Sequence, residues 1–247
     1  LVFDMSGHSK WSQIKRQKGI TDQKRANVFT KLARFITVAV KESGGIGDPD
    51  MNYKLRLAVE KAKQSNMPKS NIDRAIDLGT GKGGEHSMEY GMYEGYGPGG
   101  IAVMVETVSD NPVRTYQDLK HTFDKRGGNL AQVGAVGYMF DHVGRLALEQ
   151  KLTEEKQLEL MDVEGVVDIE NGEDQTLVFT DAKELKQVQD QLEGMNYKVS
   201  EAGLVMKPKQ PVDIDEEMIE KLGEFVEHLE ENDDVQQVYI NVNSGYV

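Results

Sequence analysis

Between Gly79 and Gly84 the chain runs Gly-Thr-Gly-Lys-Gly-Gly, with no apolar side chain to bury. Such a stretch makes a poor helix or strand interior, so it reads as a linker that cuts the chain in two. The hydrophobic period changes across it. Before it, apolar residues recur at helical spacings of three and four; after it, short runs rich in Val and Ile alternate with amphipathic segments. A helical piece followed by an α+β piece is the fold this change dictates.

In the first piece, Phe29, Leu32, Ala33, Ile36 and Val40 mark one face of a helix over 22–42, capped by Thr21 or Asp22 and ended by Ser43-Gly44-Gly45. A second helix runs from about Asp50 to Ser65 with Leu55, Ala58, Val59 and Ala62 inward. A third follows Pro68, with Ile72, Ala75 and Ile76 inward, and stops at Gly79. Beyond the linker, strands are predicted over 101–107, 136–141, 145–150, 166–170, 176–180, part of 198–207, and 235–242, with a turn at His142-Val143-Gly144. Helices are predicted over about 112–126, 153–161, 181–193 and 215–231. The first of these is capped by Ser109 or Asp110 and has Val113, Tyr116, Leu119 and Phe123 along one side. Residues 137–207 read β-β-α-β-β-α-β, close to a split-βαβ sandwich. The expected architecture is therefore α+β in three domains: a basic helical bundle over 5–82, an α+β domain from 83–136 with 208–247, and a ferredoxin-like domain over 137–207 inserted into the second.

Composition narrows the chemistry. The 247 residues contain no Cys, which removes disulfides, thiolate metal sites and a cysteine nucleophile. No apolar run approaches a membrane span. Leu1-Val2-Phe3-Asp4 lacks the basic and apolar regions of a secretory leader, and Met5 reads as a natural start.

The charge is divided at the linker. Residues 5–82 hold 16 basic and 7 acidic side chains, net +9; residues 83–247 hold 13 basic and 34 acidic, net -21; with Asp4 the chain totals -13. The basic excess is densest near the start. Between Met5 and Val40 stand Lys10, Lys15, Arg16, Lys18, Lys24, Arg25, Lys31 and Arg34, with Asp22 the sole acid. A solvated surface mixes both signs; a one-signed segment on an acidic chain is the electrostatic footprint of a polyanion partner. His8 and Trp11 in the same segment have rings suited to stacking on bases or ribose. These ten residues are the candidate nucleic-acid contacts.

Other motifs fail on context. Lys82 is followed by Gly83 rather than Ser or Thr, so 79–84 is no phosphate loop. Gly95-Tyr96-Gly97-Pro98-Gly99-Gly100 fits the letters of a dinucleotide fingerprint, but a strand rather than a helix is predicted after it, and Pro98 removes a backbone donor. His8, His86, His121, His142 and His228 lack metal-site spacing, and no Ser lies in a nucleophile elbow. The sequence predicts no catalytic residue, no metal and no cofactor.

Several multi-residue motifs then line up in order. Ser6-Gly7-His8-Ser9-Lys10-Trp11, Ile14-Lys15, Lys24-Arg25, Phe29-Thr30-Lys31, Asn66-Met67-Pro68-Lys69 and Arg74-Ala75-Ile76 resemble the opening of the YebC/PmpR family. Tyr93 to Gly100, Asn111, Arg114-Thr115, His121, Phe123 and Gly127-Gly128-Asn129-Leu130 resemble its central signature. The resemblance implies the same three-domain α+β fold, a cytoplasmic bacterial protein and no catalytic activity. It implies either a DNA-binding transcriptional regulator or, as for mitochondrial relatives that activate translation, a ribosome-associated factor that binds ribosomal RNA. Two places depart from the family: Pro112-Val113 stands where many members carry a basic residue, and Ala131-Gln132-Val133 replaces a more usual Gly-Glu-Ser.

The partner expected is thus nucleic acid, DNA or ribosomal RNA, with no membrane, bound by a monomer or weak dimer. A competing class is a protein-interaction module whose acidic α+β surface carries the function. An enzyme has only scattered carboxylates and histidines in its favour.

Overall fold

The computed structural model describes residues 22–82, 88–172 and 174–243. They form two compact units, the first from residues up to 138 together with 214–240, the second from 139–213 with the last described residues.

The first unit opens with three helices, α1 (Asp22–Glu42), α2 (Tyr53–Gln64) and α3 (Lys69–Gly79). Their apolar stripes meet in one core: Leu32, Ile36 and Val40 of α1, Leu55, Ala58, Val59 and Ala62 of α2, and Met67, Ile72 and Ala75 at and after the α2–α3 turn. Asn52 caps α2 by accepting from the Leu55 amide at 3.1 Å. Gly79 belongs to this packing rather than to the linker. A Cβ there would lie 2.6 Å from the Val40 Cβ and 2.8 Å from the Thr37 carbonyl. The chain then closes α3, the Lys82 amide donating to the Asp77 carbonyl at 3.1 Å with Gly81 at positive φ. The remainder of the predicted linker, Gly83-Gly84, lies outside the described residues.

A four-stranded antiparallel sheet follows, in the order β3-β1-β2-β8, from β1 (Glu89–Tyr96), β2 (Ala102–Ser109), β3 (Asn129–Leu130) and β8 (Val235–Ile240). Strand β1 is absent from the sequence reading, which keyed on Val and Ile; β1 is built of Tyr, Met, Glu and Gly. Helices α4 (Pro112–Lys125) and α7 (Glu216–Glu230) meet on one face, where Phe123 and Phe225 pack edge to face at 5.0 Å. The buried side of α4 is Thr115, Leu119 and Phe123; Val113 and Tyr116 are exposed, contrary to the predicted face. Its cap is Asn111, which accepts from the Arg114 amide, rather than Ser109 or Asp110. Helix α1 touches β2 and β8.

The glycine motif at 95–100 is a packing device. A Cβ on Gly95 would sit 2.5 Å from the Phe123 ring and 2.7 Å from the Asn129 carbonyl, so β1 passes directly beneath α4. The short 3-10 turn Pro98–Gly100 then leads into β2, with Gly99 and Gly100 at positive φ. A strand does precede the motif, but the helix that a dinucleotide site needs is replaced by a strand, so the hairpin reading stands.

The second unit is β4 (Phe140–Leu148), α5 (Glu154–Met161), β5 (Val166–Asn171), β6 (Thr176–Asp181), α6 (Leu185–Gly194) and β7 (Val199–Pro208), with sheet order β5-β6-β4-β7, all antiparallel. This is the ferredoxin-like split-βαβ arrangement, with one strand fewer than predicted. The expected turn at His142-Val143-Gly144 lies inside β4: His142 pairs with Met206, Val143 with Val205, and Gly144 with both Leu204 and Thr180. Leu146, Leu148, Val178, Leu160, Leu185, Val188 and Leu192 are buried. Lys207 lies 3.8 Å above the Phe179 ring and pairs with Asp168 and Glu170.

Candidate nucleic-acid interface

The sequence-predicted contacts divide by position. His8, Lys10, Trp11, Lys15, Arg16 and Lys18 lie outside the described residues. Lys24 and Arg25 stand at the start of α1, their side chains likewise outside the description. Lys31 and Arg34 are described, and both are engaged within their own unit. The Lys31 ammonium donates to the Glu230 carbonyl at the end of α7, and Arg34 pairs with Asp234.

Asp234 is the node of a buried polar cluster. Its side chain is 3 % exposed. One carboxylate oxygen takes Arg34; the other accepts from Thr115 at 2.7 Å, Arg114 at 2.8 Å and Ser109 at 3.1 Å. Its carbonyl accepts from the Val108 amide at 2.8 Å. Burial alone raises this carboxyl's pKa; the hydrogen bonds from Arg114 and Thr115, the charge of Arg34 and the Ser109 hydroxyl outweigh that and hold it below the usual carboxylate range. The cluster ties α1, the end of β2, the start of α4 and the entry to β8 to one point. Of Arg114-Thr115 in the central signature, Thr115 is therefore fixed inward, while the half-exposed Arg114 reaches the same carboxylate from the surface. Asp234 and Ser109 were missed from sequence because an Asp in an acidic tail carries no local mark of burial.

A second buried carboxylate organises the segment after β3. Glu94 accepts from the amides of Gly134 at 2.8 Å and of Val136 and Gly137 at 2.7 Å. Burial opposes ionisation, and the three amides overcome it, so this carboxyl also lies low. It fixes the segment in which Ala131-Gln132-Val133 departs from the usual family residues, leaving Val133 88 % exposed.

The face of the first sheet opposite α4 carries Glu106, which accepts from the Tyr239 hydroxyl at 2.9 Å. Burial pushes the Glu106 carboxyl up, against the opposing pull of Tyr239 and Lys61. Tyr90 is raised by burial and by the charge of Glu106. Of the histidines, His121 is exposed on α4, His142 is on β4, and His228 contacts Arg126 and the Glu224 carbonyl; His8 and His86 lie outside the described residues. Among the described residues no cluster of His, Asp or Glu is placed to hold a metal ion, and no helix is long and apolar enough to cross a membrane.

A three-helix bundle joined to an α+β sheet, with a ferredoxin-like unit inserted before the last helix and strand, defines the structural class. The chain belongs to the TACO1/YebC family: residues 9–82 match its "TACO1/YebC protein N-terminal domain" and residues 88–242 its "TACO1/YebC second and third domain". Two relatives carry the name "Probable transcriptional regulatory protein". The one from Herpetosiphon aurantiacus is 44% identical over 96% of this chain and 94% of its own, and the one from Syntrophus aciditrophicus is 46% identical over 96% and 95%. The crystal structure of a conserved hypothetical protein from Aquifex aeolicus superposes with a TM-score of 0.82, at 40% identity, over 95% of this chain and 97% of that one. The relatives' names support a regulatory role.

Proposed function

We propose that this chain is a non-enzymatic, nucleic-acid-binding regulator of gene expression, acting on DNA as a cytoplasmic transcriptional regulator. The observation that carries the reading is the segment from Lys10 to Arg34, eight cations against the single acid Asp22, on a chain of formal charge -13. The relatives named as transcriptional regulatory proteins support it. In this reading the division into 5–82, 83–136 with 208–247, and 137–207 separates a binding end from an acidic body. Lys10, Lys15, Arg16, Lys18, Lys24 and Arg25 take phosphates, with His8 and Trp11 on bases or sugars. Lys31 and Arg34, held by Glu230 and Asp234, set the bearing of α1 on the sheet. Phosphate contacts position the protein without specifying sequence, so sequence choice on DNA calls for a weak dimer on paired half-sites.

Charge reversal tests it. The variant K15E/R16E/K24E/R25E is expected to lose binding to duplex DNA while its circular dichroism and thermal unfolding stay those of the parent. Unchanged affinity at low salt removes the reading. Loss of binding to structured RNA alone, with none to DNA in the parent, turns the protein into a translation factor that binds ribosomal RNA.

A further inference from the structure

The cations of the helical bundle are not equivalent. Of those described, Lys31 and Arg34 are engaged by Glu230 and Asp234. Lys54 pairs with Glu42 at 3.0 Å, Arg56 with Asp50 at 3.4 Å and Lys82 with Asp77 at 3.4 Å. Lys41 has an interaction of its own, and Lys61 acts on the partly buried Glu106. Lys63, Lys69 and Arg74 are left. All three are exposed and none has a side-chain hydrogen bond or ion pair among the described residues. They flank one corner in sequence: Lys63 is in the last turn of α2, Lys69 opens α3, and Arg74 follows five residues later, one turn beyond Ser70.

The corner that carries them is rigid. Asn66 takes a positive φ of 58°. Its amide donates to the Lys63 carbonyl, and the Met67 amide donates to that of Ala62, both at 2.9 Å. Met67 plugs the turn into the bundle core at 6 % exposure. Pro68 fixes the entry to α3 with an extended ψ of 138°. Beside the corner, Ser70 and Arg74 line a shallow hollow of about 500 Å³ with Asp73, Asp77, Leu78 and Lys82. Asp77 is occupied by Lys82. From residue 61 to 76 the only acid is Asp73, exposed beside Arg74. Long cationic side chains with no partner among the described residues, fixed on a stiff corner of a bundle whose other described cations are engaged, suit an external anion spread over several charges.

We propose that the α2–α3 corner is a second nucleic-acid contact surface, with Lys63, Lys69 and Arg74 each meeting a backbone phosphate. It rests on the nucleic-acid reading above and adds to it a surface outside the N-terminal basic run. The contact is to phosphate and is indifferent to base sequence.

The test is a salt titration of the full chain against two probes, a short mixed-sequence DNA duplex and a single-stranded RNA of equal length. Each lost phosphate contact should flatten the slope of log K against log salt by about 0.9 on the duplex or about 0.7 on the single strand. The variant K63Q/K69Q/R74Q is therefore expected to lose about 2.7 from the duplex slope if DNA is the partner, or about 2.1 from the RNA slope if RNA is. Unchanged thermal unfolding confirms the fold. D73N, which removes an exposed anion beside Arg74, should tighten binding in either case. If the parent binds and the triple variant keeps its full slope, the second surface is refuted and the N-terminal one survives. If the parent binds neither probe, the wider reading fails and this one with it.

Discussion

At the scale of single residues the fold is held by carboxylates that lost water and gained donors. Asp234 collects two guanidinium groups and two hydroxyls, and Glu94 collects three amides. Removing the Asp234 carboxylate leaves the buried Thr115 and Ser109 hydroxyls without it while the more exposed Arg34 and Arg114 keep water, which costs about 1–3 kcal/mol. D234A should lose about that much in urea unfolding, and a loss under about 0.5 kcal/mol would show that the cluster contributes nothing to stability. Both carboxyls have pKa values below their unfolded ones. Their contribution is therefore complete above the unfolded values, about 3.9 for Asp and 4.3 for Glu, and drains away as pH falls through the folded ones. Stability should drop on acidification below about pH 4, with a shallower drop in E94Q and D234N.

Glu106 runs the other way. Its folded pKa is raised by burial, so the folded state favours the protonated acid. Stability linked to it is highest below the unfolded pKa and is lost as pH rises through the folded one. E106Q, which keeps an acceptor for Tyr239 without the charge, should unfold at higher temperature than the parent at neutral pH and no higher near pH 4. A lower melting temperature at neutral pH would mean that the ionised carboxylate is compensated by Lys61 and Tyr239.

At the scale of elements, what the sequence made legible was periodicity. The stripe on α2 predicts its buried face residue for residue, because a helix must hide one side; those on α1 and α3 find Leu32, Ile36, Val40, Ile72 and Ala75 but miss the buried Thr37, Val38 and Ala39. Strands were legible where Val and Ile gather, as in β2 and β8. β1 was not, because it is built of Tyr, Met, Glu and Gly, with Gly95 there for the helix above it. Gly144 misled the reading of β4 for the same reason, being a close-packing residue mistaken for a turn signal. A Cβ on Gly144 would meet the Thr180 Oγ1 at 2.3 Å and Leu185 at 2.8 Å, whereas one on Gly203 meets nothing within 4 Å. G144A should cost about 1–3 kcal/mol by overpacking, and G203A close to nothing. Equal effects from the two would show that β4 does not run through 142–144. The candidate site was half legible: the charge of the N-terminal run is visible in the letters, but the clasping of Lys31 and Arg34 needed their distant partners, Glu230 and Asp234, to be placed.

At the scale of the whole chain the governing fact is the division of charge, +9 over residues 5–82 and -21 over 83–247. An acidic body repels a phosphate backbone, so binding by such a chain is confined to its basic end and weakens steeply with salt. The measurement that tests this most directly is crosslinking in cells, followed by sequencing of the bound DNA and bound RNA, for the parent and for the charge-reversed N-terminal variant side by side. The expected result is enrichment at promoters that survives ribonuclease and disappears in the variant. Reads concentrated on one region of ribosomal RNA would move the protein to translation. Equal, background recovery of nucleic acid from parent and variant would contradict the account and shift the function to the acidic domains and a protein partner.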